Sequence, residues 1–305
     1  MAFDKFFEYA LLAGMLYPIV GKIVAGYRRR GTKDVRIDVI ELNGVIQYSE
    51  KPDSVYVRTM EVLDAVEADK PKALIVRVNS PGGSVGATHE IYAKLKSLAD
   101  KGMTIVAMME DVAASGGLYV AMAAQHIVAT PGTITGSIGV IMKGYDISEL
   151  LPFLKIKTRV HKSGEFKDMG SLTRPSTEAE DSLLSSMVQD VLGGFCDIIA
   201  TSRKIDPEVV KGFADGRILT GRQALELKLI DKLGSFADAV KVARELAKIP
   251  EGKEKVVPIT SKKKKSSLKS LLFGQSSGAH LRSLVEQALP GLDLQGLPLL
   301  LMRRF

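Results

Sequence analysis

Two strand-to-helix junctions in this chain bring small residues together in a way that can do chemistry. One reads Glu110-Asp111-Val112-Ala113-Ala114-Ser115-Gly116-Gly117 and follows the β-branched run at 104–109. The other reads Asn79-Ser80-Pro81-Gly82-Gly83-Ser84 and follows the apolar run at 73–78. Small neighbours at a helix start expose the Ser115 hydroxyl, and the next amide, that of Gly116, can face a developing oxyanion. The Gly82-Gly83 pair lets backbone amides approach an anion or oxyanion, with the helix N-terminus adding positive potential. Taken singly, Ser-Gly-Gly commonly caps a helix and Pro-Gly-Gly commonly makes a turn. Two such junctions after successive strands weigh more, because adjacent parallel strands deliver their carboxyl ends to one cleft. A phosphate cradle is disfavoured: neither Gly-x-x-x-x-Gly-Lys-Ser/Thr nor Gly-x-Gly-x-x-Gly occurs in the glycine loop.

A serine nucleophile needs a base. The four histidines, His89, His126, His161 and His280, share neither metal-ligand spacing nor a helical face. His126 stands where the helix after Ser115 passes into the next strand and reads as structural. Further on, His161-Lys162-Ser163-Gly164-Glu165-Phe166-Lys167-Asp168 offers Lys167 after an extended run and a glycine turn. A lysine serves as a base only where burial or positive neighbours keep it neutral, whereas most lysines are simply solvated. The single cysteine, Cys196, excludes an internal disulfide and leaves the redox compartment open. No metal or other cofactor is implied.

The elements that must hold these residues follow from the hydrophobic pattern. Across 305 residues, 46% hydrophobic and 25% charged content describe a globular chain able to bury a sizeable core. From 35 to about 234, short β-branched runs alternate with amphipathic stretches, the pattern of stacked βαβ units in one α/β domain. The expected elements are a first strand at 35–45, a helix at 53–67, a buried strand at 73–78, a helix at 85–98, and the strand at 104–109. Between 177 and 204, Leu183, Leu184, Met187, Val188, Val191 and Leu192 recur at helical spacing, which suits either core packing or a subunit interface.

The ends differ in character. Residues 6–25 are mostly apolar, interrupted by Glu8, Pro18 and Lys22 and closed by Arg28-Arg29-Arg30. The stretch suits a tilted span, an in-plane anchor or a docking helix, and no small-residue cleavage site succeeds a basic start. The triple arginine favours the cytoplasmic side for the chain beyond residue 30. Past Pro250 comes a basic run, Lys262 to Lys265, and then an apolar end at 297–305. Without interleaved aromatics the lysine run does not argue for nucleic acid. The expected organisation is a membrane-associating segment at 1–30, a catalytic domain at 31–250, and a basic linker with an amphipathic tail at 251–305. The tail is expected to dock on the catalytic domain, with autocleavage as the sharper alternative.

Four motifs in order, Asn79-Ser80-Pro81-Gly82-Gly83, Ala114-Ser115-Gly116-Gly117, Thr135-Gly136-Ser137-Ile138-Gly139-Val140 and Ser163-Gly164-Glu165-Phe166-Lys167-Asp168, resemble the signal peptide peptidase A family. The resemblance covers about 35–248, and Leu219-Thr220-Gly221-Arg222-Gln223-Ala224 is similar to a stretch shared with Clp-type proteases. It implies the Clp protease/crotonase fold and a serine endopeptidase acting on hydrophobic peptides, such as remnant signal peptides, or on unfolded membrane-associated polypeptides. Ser115 would be the nucleophile and Lys167 the general base, with Ser137 orienting the amine. Gly82 or Gly83, together with Gly116, would supply the oxyanion amides. The Clp-type triad places its histidine where this chain reads Gly136 to Val140, and none stands there. The resemblance further implies a ring-like homo-oligomer in which serine and lysine come from neighbouring subunits, and the apolar segment at 6–25 adds the expectation of a membrane surface. A crotonase-like acyl-CoA-binding enzyme and a catalytically silent membrane scaffold are the alternatives on the same fold.

Overall fold

The computed structural model describes residues 34–49 and 54–261. The expected segment at 1–30 and the tail beyond Ser261 lie outside the described residues. Eight strands are described, β1 (Val35–Asn43), β2 (Ala73–Ser80), β3 (Thr104–Ala113), β4 (His126–Ala129), β5 (Ile134–Gly136), β6 (Ile218–Thr220), β7 (Lys232–Leu233) and β8 (Glu254–Pro258). The helices are α1 (Val55–Asp69), α2 (Val85–Asp100), α3 (Gly116–Ala121), α4 (Leu150–Phe153), α5 (Glu178–Arg203), α6 (Pro207–Lys211), α7 (Gly221–Glu226) and α8 (Phe236–Leu246), with a one-turn 3-10 helix at Glu165–Asp168. Strand order is β6-β5-β3-β2-β1-β8, and β4 joins β3 to β7. Every pairing is parallel except that of β5 with β6. This is the expected α/β architecture of alternating strands and helices.

Side-chain alternation fixes the two faces of the sheet. Leu74, Val76 and Val78 of β2 and Ile105, Ala107 and Met109 of β3 face a core completed by Leu63, Ile91, Leu118 and Phe195 from helices α1, α2, α3 and α5. Ala73, Ile75, Val106 and Met108 face the opposite side, where Ala239, Val242 and Ala243 of α8 cover them. Being buried on both faces, the central strands read as nearly continuous apolar runs, Ala73–Val76 and Ile105–Met109. Helix α1 starts when Ser54 accepts the Val57 amide and stops at Lys70, which turns left-handed at φ 49°.

Several expected boundaries move: the strand expected at 35–45 occupies Val35–Asn43, that at 73–78 occupies Ala73–Ser80, and the helix at 85–98 occupies Val85–Asp100. The strand expected at 104–109 continues to Ala113, because Arg77 on β2 pairs Glu110 and Asn79 Oδ1 accepts the Val112 amide at 3.2 Å. The helix expected at 53–67 occupies Val55–Asp69. Within the stretch expected as linker from 251, Glu254–Pro258 pair with Val35–Val39 as an edge strand.

Helix α5 is pinned at both ends. Its start is a capping box, in which Thr177 Oγ1 accepts the Glu180 amide and the Glu180 carboxylate accepts the Thr177 amide. Its last residue, Arg203, donates to both Asp231 oxygens at 3.0 and 2.7 Å, and Asp231 Oδ2 also accepts the Ile127 amide at 2.7 Å. Among the described residues α5 alone is long and apolar enough to cross a membrane by length and composition. Yet Phe195, Cys196, Ile199 and Ala200 are buried in the domain core while Leu183 and Met187 are exposed. The apolar stripe therefore serves core packing in its second half and leaves its first half uncovered.

Burial pushes the Asp231 carboxyl up, but the Arg203 guanidinium and the Ile127 amide outweigh it and hold the group below its ordinary value. A depressed carboxylate stabilises the fold above its unfolded pKa, near 4, and loses that contribution as the pH falls through the folded value. Asp231→Asn is expected to cost about 1–3 kcal/mol at pH 7. Urea unfolding should show the gap between parent and variant narrowing below about pH 4.

Candidate active site

Ser115 occupies a sharp elbow between β3 and α3, at φ 50° and ψ −118°. A left-handed φ costs an L residue roughly 1–2 kcal/mol, so the surroundings must impose it. Four backbone hydrogen bonds do so. Ala114 N donates to Ser80 O at 3.1 Å, Ser115 N to Gly136 O at 2.9 Å, Gly117 N to Ala114 O at 2.8 Å, and Tyr119 N to Ser115 O at 2.9 Å. The serine is left half-buried at the carboxyl edge of the sheet.

The Gly82-Gly83 loop touches this elbow backbone to backbone. Gly82 has φ 101°, and a Cβ there would lie 2.5 Å from Gly116 N and 3.0 Å from Ser115 Cβ. A Cβ on Gly116 would lie 3.1 Å from Gly82 Cα and 3.2 Å from Gly83 N. Only glycines permit this approach. The two glycine amides differ in their commitments. Gly82 N donates to Ser80 Oγ at 3.1 Å. Gly83 forms a bridge with Ile46, but its bonds run from Ile46 N to Gly82 O and from Ser84 N to Ile46 O, leaving the Gly83 amide off the ladder. Gly116, first residue of α3, has no intrahelical acceptor for its amide. Gly83 N and Gly116 thus lie close together beside Ser115, and among the described residues neither amide is taken by a backbone acceptor.

Ser137 comes directly after Gly136, the residue whose carbonyl takes the Ser115 amide, and the two turn left-handed at φ 49° and 71° respectively. Its own amide donates to Arg217 O at 2.7 Å. One chain therefore brings together Ser115, Gly82, Gly83, Gly116 and Ser137. Lys167 is exposed on the one-turn helix Glu165–Asp168, and no hydrogen bond joins it to these residues. Among the described residues its amine has no hydrogen-bond partner, and neither has the Ser115 hydroxyl. The arm around Lys167 presents apolar side chains to solvent, with Ile141 85% and Phe153 83% exposed.

Other candidates for the chemistry fall away by position. His126 pairs in register with Val106, seven strand residues before the end of β3, which places it roughly 23 Å from the Ser115 edge. His89 Nδ1 shares a hydrogen bond of 2.9 Å with the Tyr119 hydroxyl, and His161 is exposed in the arm. His280 lies outside the described residues. Cys196 is buried in the core, where burial pushes its thiol up and disfavours the nucleophilic thiolate. Two residues around the site were not legible in the sequence. Ser80 is a buried hub, since its carbonyl and hydroxyl hold both loops. Thr88, on α2, has its buried Oγ1 against Gly116 without a hydrogen-bond partner among the described residues. A helical threonine has no sequence signature that would reveal this.

Residues 97–250 match the model of peptidase family S49, and residues 33–135 match that of Clp protease. The chain is 43% identical over 212 residues to a putative protease of Synechocystis sp., covering 70% of this chain and 74% of that one. It is 35% identical over 190 residues to a putative signal peptide peptidase SppA of Enterococcus faecium, covering 62% of this chain and 55% of the relative. It is 35% identical over 212 residues to the chloroplastic serine protease SPPA of Arabidopsis thaliana, covering 69% of this chain and 31% of the relative. The chain thus spans about three quarters of the first of these relatives, half of the second and a third of the third.

The strain at Ser115 has a measurable consequence. Ser115→Gly is expected to unfold at higher urea than Ser115→Ala, by about 1 kcal/mol, because glycine alone relaxes a left-handed φ. Equal midpoints for the two variants would contradict the elbow geometry.

Proposed function

Since the chain belongs to peptidase family S49 and is a serine peptidase, we propose that Ser115 is its nucleophile, that Lys167 is the general base, and that the two meet between neighbouring subunits of a homo-oligomer. The observation that carries the reading is the Ser115 elbow packed against the Gly82-Gly83 loop. It offers a half-exposed serine with the Gly83 and Gly116 backbone packed beside it, the equipment of acyl transfer.

Neutral Lys167 takes the Ser115 proton as Oγ attacks a peptide carbonyl. The tetrahedral oxyanion is held by the Gly83 and Gly116 amides, each donor lowering the barrier by about 2.7–4 kcal/mol. The protonated lysine passes its proton to the leaving amine. Water, activated by the same lysine, then attacks the acyl-enzyme and frees Ser115. Ser137 orients the lysine amine from its turn beside Ser115. Gly82, whose amide is taken by Ser80, shapes the loop rather than donating.

Several features support a dyad between subunits. A lysine acts as a base only when desolvation favours its neutral form, and Lys167 is exposed in one chain. Its arm carries the exposed apolar side chains Ile141, Phe153 and Leu154, which a second copy would cover. Helix α5 sets the scale. Phe195 packs on Tyr119 of α3, with ring centroids 5.1 Å apart. Glu180, which is tied to the Lys167 turn, lies about 15 residues or ~22 Å back along the helix axis. A ring of such contacts is the closed heterologous assembly that symmetry allows.

For substrate, Val45 and Val85 flank the Ile46–Gly83 bridge and are 55% and 53% exposed, giving the site an apolar rim. That rim and the name of the Enterococcus faecium relative support hydrophobic peptides, including signal peptide remnants or unfolded membrane-associated polypeptides. The sequence of residues 6–25 supports a membrane surface as the place of action, with the catalytic domain on the cytoplasmic side.

Subunit mixing tests this reading. Ser115→Ala and Lys167→Ala should each assemble and each be inactive on an internally quenched, leucine-rich peptide. Dissociating and reassociating them together in equal amounts should restore about a quarter of the parental rate, because random mixing pairs intact serine with intact lysine in that share of interfaces. A mixed assembly of parental mass that stays inactive would refute the shared site, and an active Ser115→Ala would refute the nucleophile.

A further inference from the structure

We infer that Arg174 is a positioning residue for Lys167, clamping the lysine-bearing turn to the first turn of α5. The inference rests on the reading of Lys167 as the base. Lys167 sits on a 3-10 helix of four residues, Glu165–Asp168, within an exposed arm. One turn of 3-10 helix does not hold its own shape in water. A base must nevertheless be held to a fraction of an ångström, since a misplacement of about 1 Å costs on the order of 10²-fold in rate.

The restraint begins one residue from the lysine. Arg174 grips the Asp168 carboxylate through both oxygens, Nε to Oδ2 at 3.0 Å and Nη2 to Oδ1 at 2.8 Å, and also donates to the Asp168 carbonyl at 3.3 Å. The same guanidinium grips Glu180, with Nη1 2.9 Å from Oε2 and Nη2 2.5 Å from Oε1, and Nη1 also reaches Pro175 O at 3.0 Å. Every N–H of the fork is thereby used. Lys162 closes the other side of the turn, donating to Asp168 Oδ1 and to Glu165 O, both at 2.8 Å.

Glu180 makes this a tie to the body of the protein. It is the third residue of α5, is 1% exposed, and accepts the Thr177 amide at 2.9 Å. A buried carboxylate requires such partners. Hydrogen bonding to Arg174 above all, with the Thr177 amide, lowers the Glu180 carboxyl to about 2, so the clamp stays charged through neutral pH. From Glu180 the restraint runs down α5 to Phe195 and across to Tyr119, one turn after Ser115. The base and the nucleophile of one chain are thus fixed to the same helix, which sets where each is presented to a neighbouring subunit. Arginine is needed because its planar fork spans two carboxylates, which an ammonium cannot do.

The test uses the full chain and the internally quenched leucine-rich peptide, with kcat and KM, assembly mass and melting temperature measured for each variant. Asp168→Asn is the decisive variant, because it weakens the grip on the lysine turn and leaves the Arg174, Glu180 and Thr177 cap in place. It should lower kcat about tenfold or more with KM changed less than about threefold, at parental mass and melting temperature. Arg174→Ala should lower kcat on the order of 10²-fold, and Arg174→Lys should fail to restore it. A parental kcat for Asp168→Asn, or a loss that only tracks lost assembly or melting, would overturn the inference. Lys167→Ala separates the two readings. If it is inactive while Asp168→Asn is normal, the clamp fails and the base stands; if Lys167→Ala is itself active, the base assignment fails.

Discussion

The contact on which the site depends is the approach of two glycine backbones at the carboxyl edge of the sheet, where Gly82 lies against Gly116 with no room for a side chain between them. It exists because β2 and β3 run parallel in register, Ala73 against Thr104 through Val78 against Met109, and then shift so that Ser80 faces Ala113. That shift brings the two loops together. Buried Ser80 locks them, its carbonyl holding Ala114 and its hydroxyl holding Gly82. The left-handed Ser115, and the amides of Gly83 and Gly116 that take no backbone acceptor among the described residues, go with this packing.

The lysine half of the proposed site obeys a different constraint. It is built on an exposed arm rather than on the sheet, and ion pairs replace core packing as its restraint. Helix α5 joins the two halves, with a buried carboxylate at its first turn, aromatic contact to the nucleophile helix in its second half, and Arg203 on Asp231 at its end. A helix that ties the Ser115 elbow to the Lys167 turn is the part the proposed assembly would use, since closure would then present each lysine to another chain's serine.

Much of the sheet was legible because central strands buried on both faces must be mostly apolar, as 73–78 and 104–109 are apart from Arg77 and Thr104. The glycine loops were legible because their residue types are sterically forced. Other features left weaker traces. Glu110 and Asp111 look like a strand ending, yet Arg77 on the neighbouring strand pairs Glu110 and β3 continues to Ala113. The return of Glu254–Pro258 to the edge of β1 is a long-range pairing with no local signal. Arg174 is equally silent: it stands in irregular backbone with its partners six residues away on either side, a spacing that no periodicity marks. The Thr177-x-x-Glu180 box is the one local hint that a helix start was being fastened there.

The most direct test of the account is the labelling of the nucleophile. A serine-reactive phosphonofluoridate, applied to the assembled protein and followed by mass-spectrometric mapping of the adduct, should modify Ser115. Labelling should be lost in Lys167→Ala and should fade as dilution dissociates the parent. An adduct on a different serine, or equal labelling of Ser115 in Lys167→Ala, would contradict it.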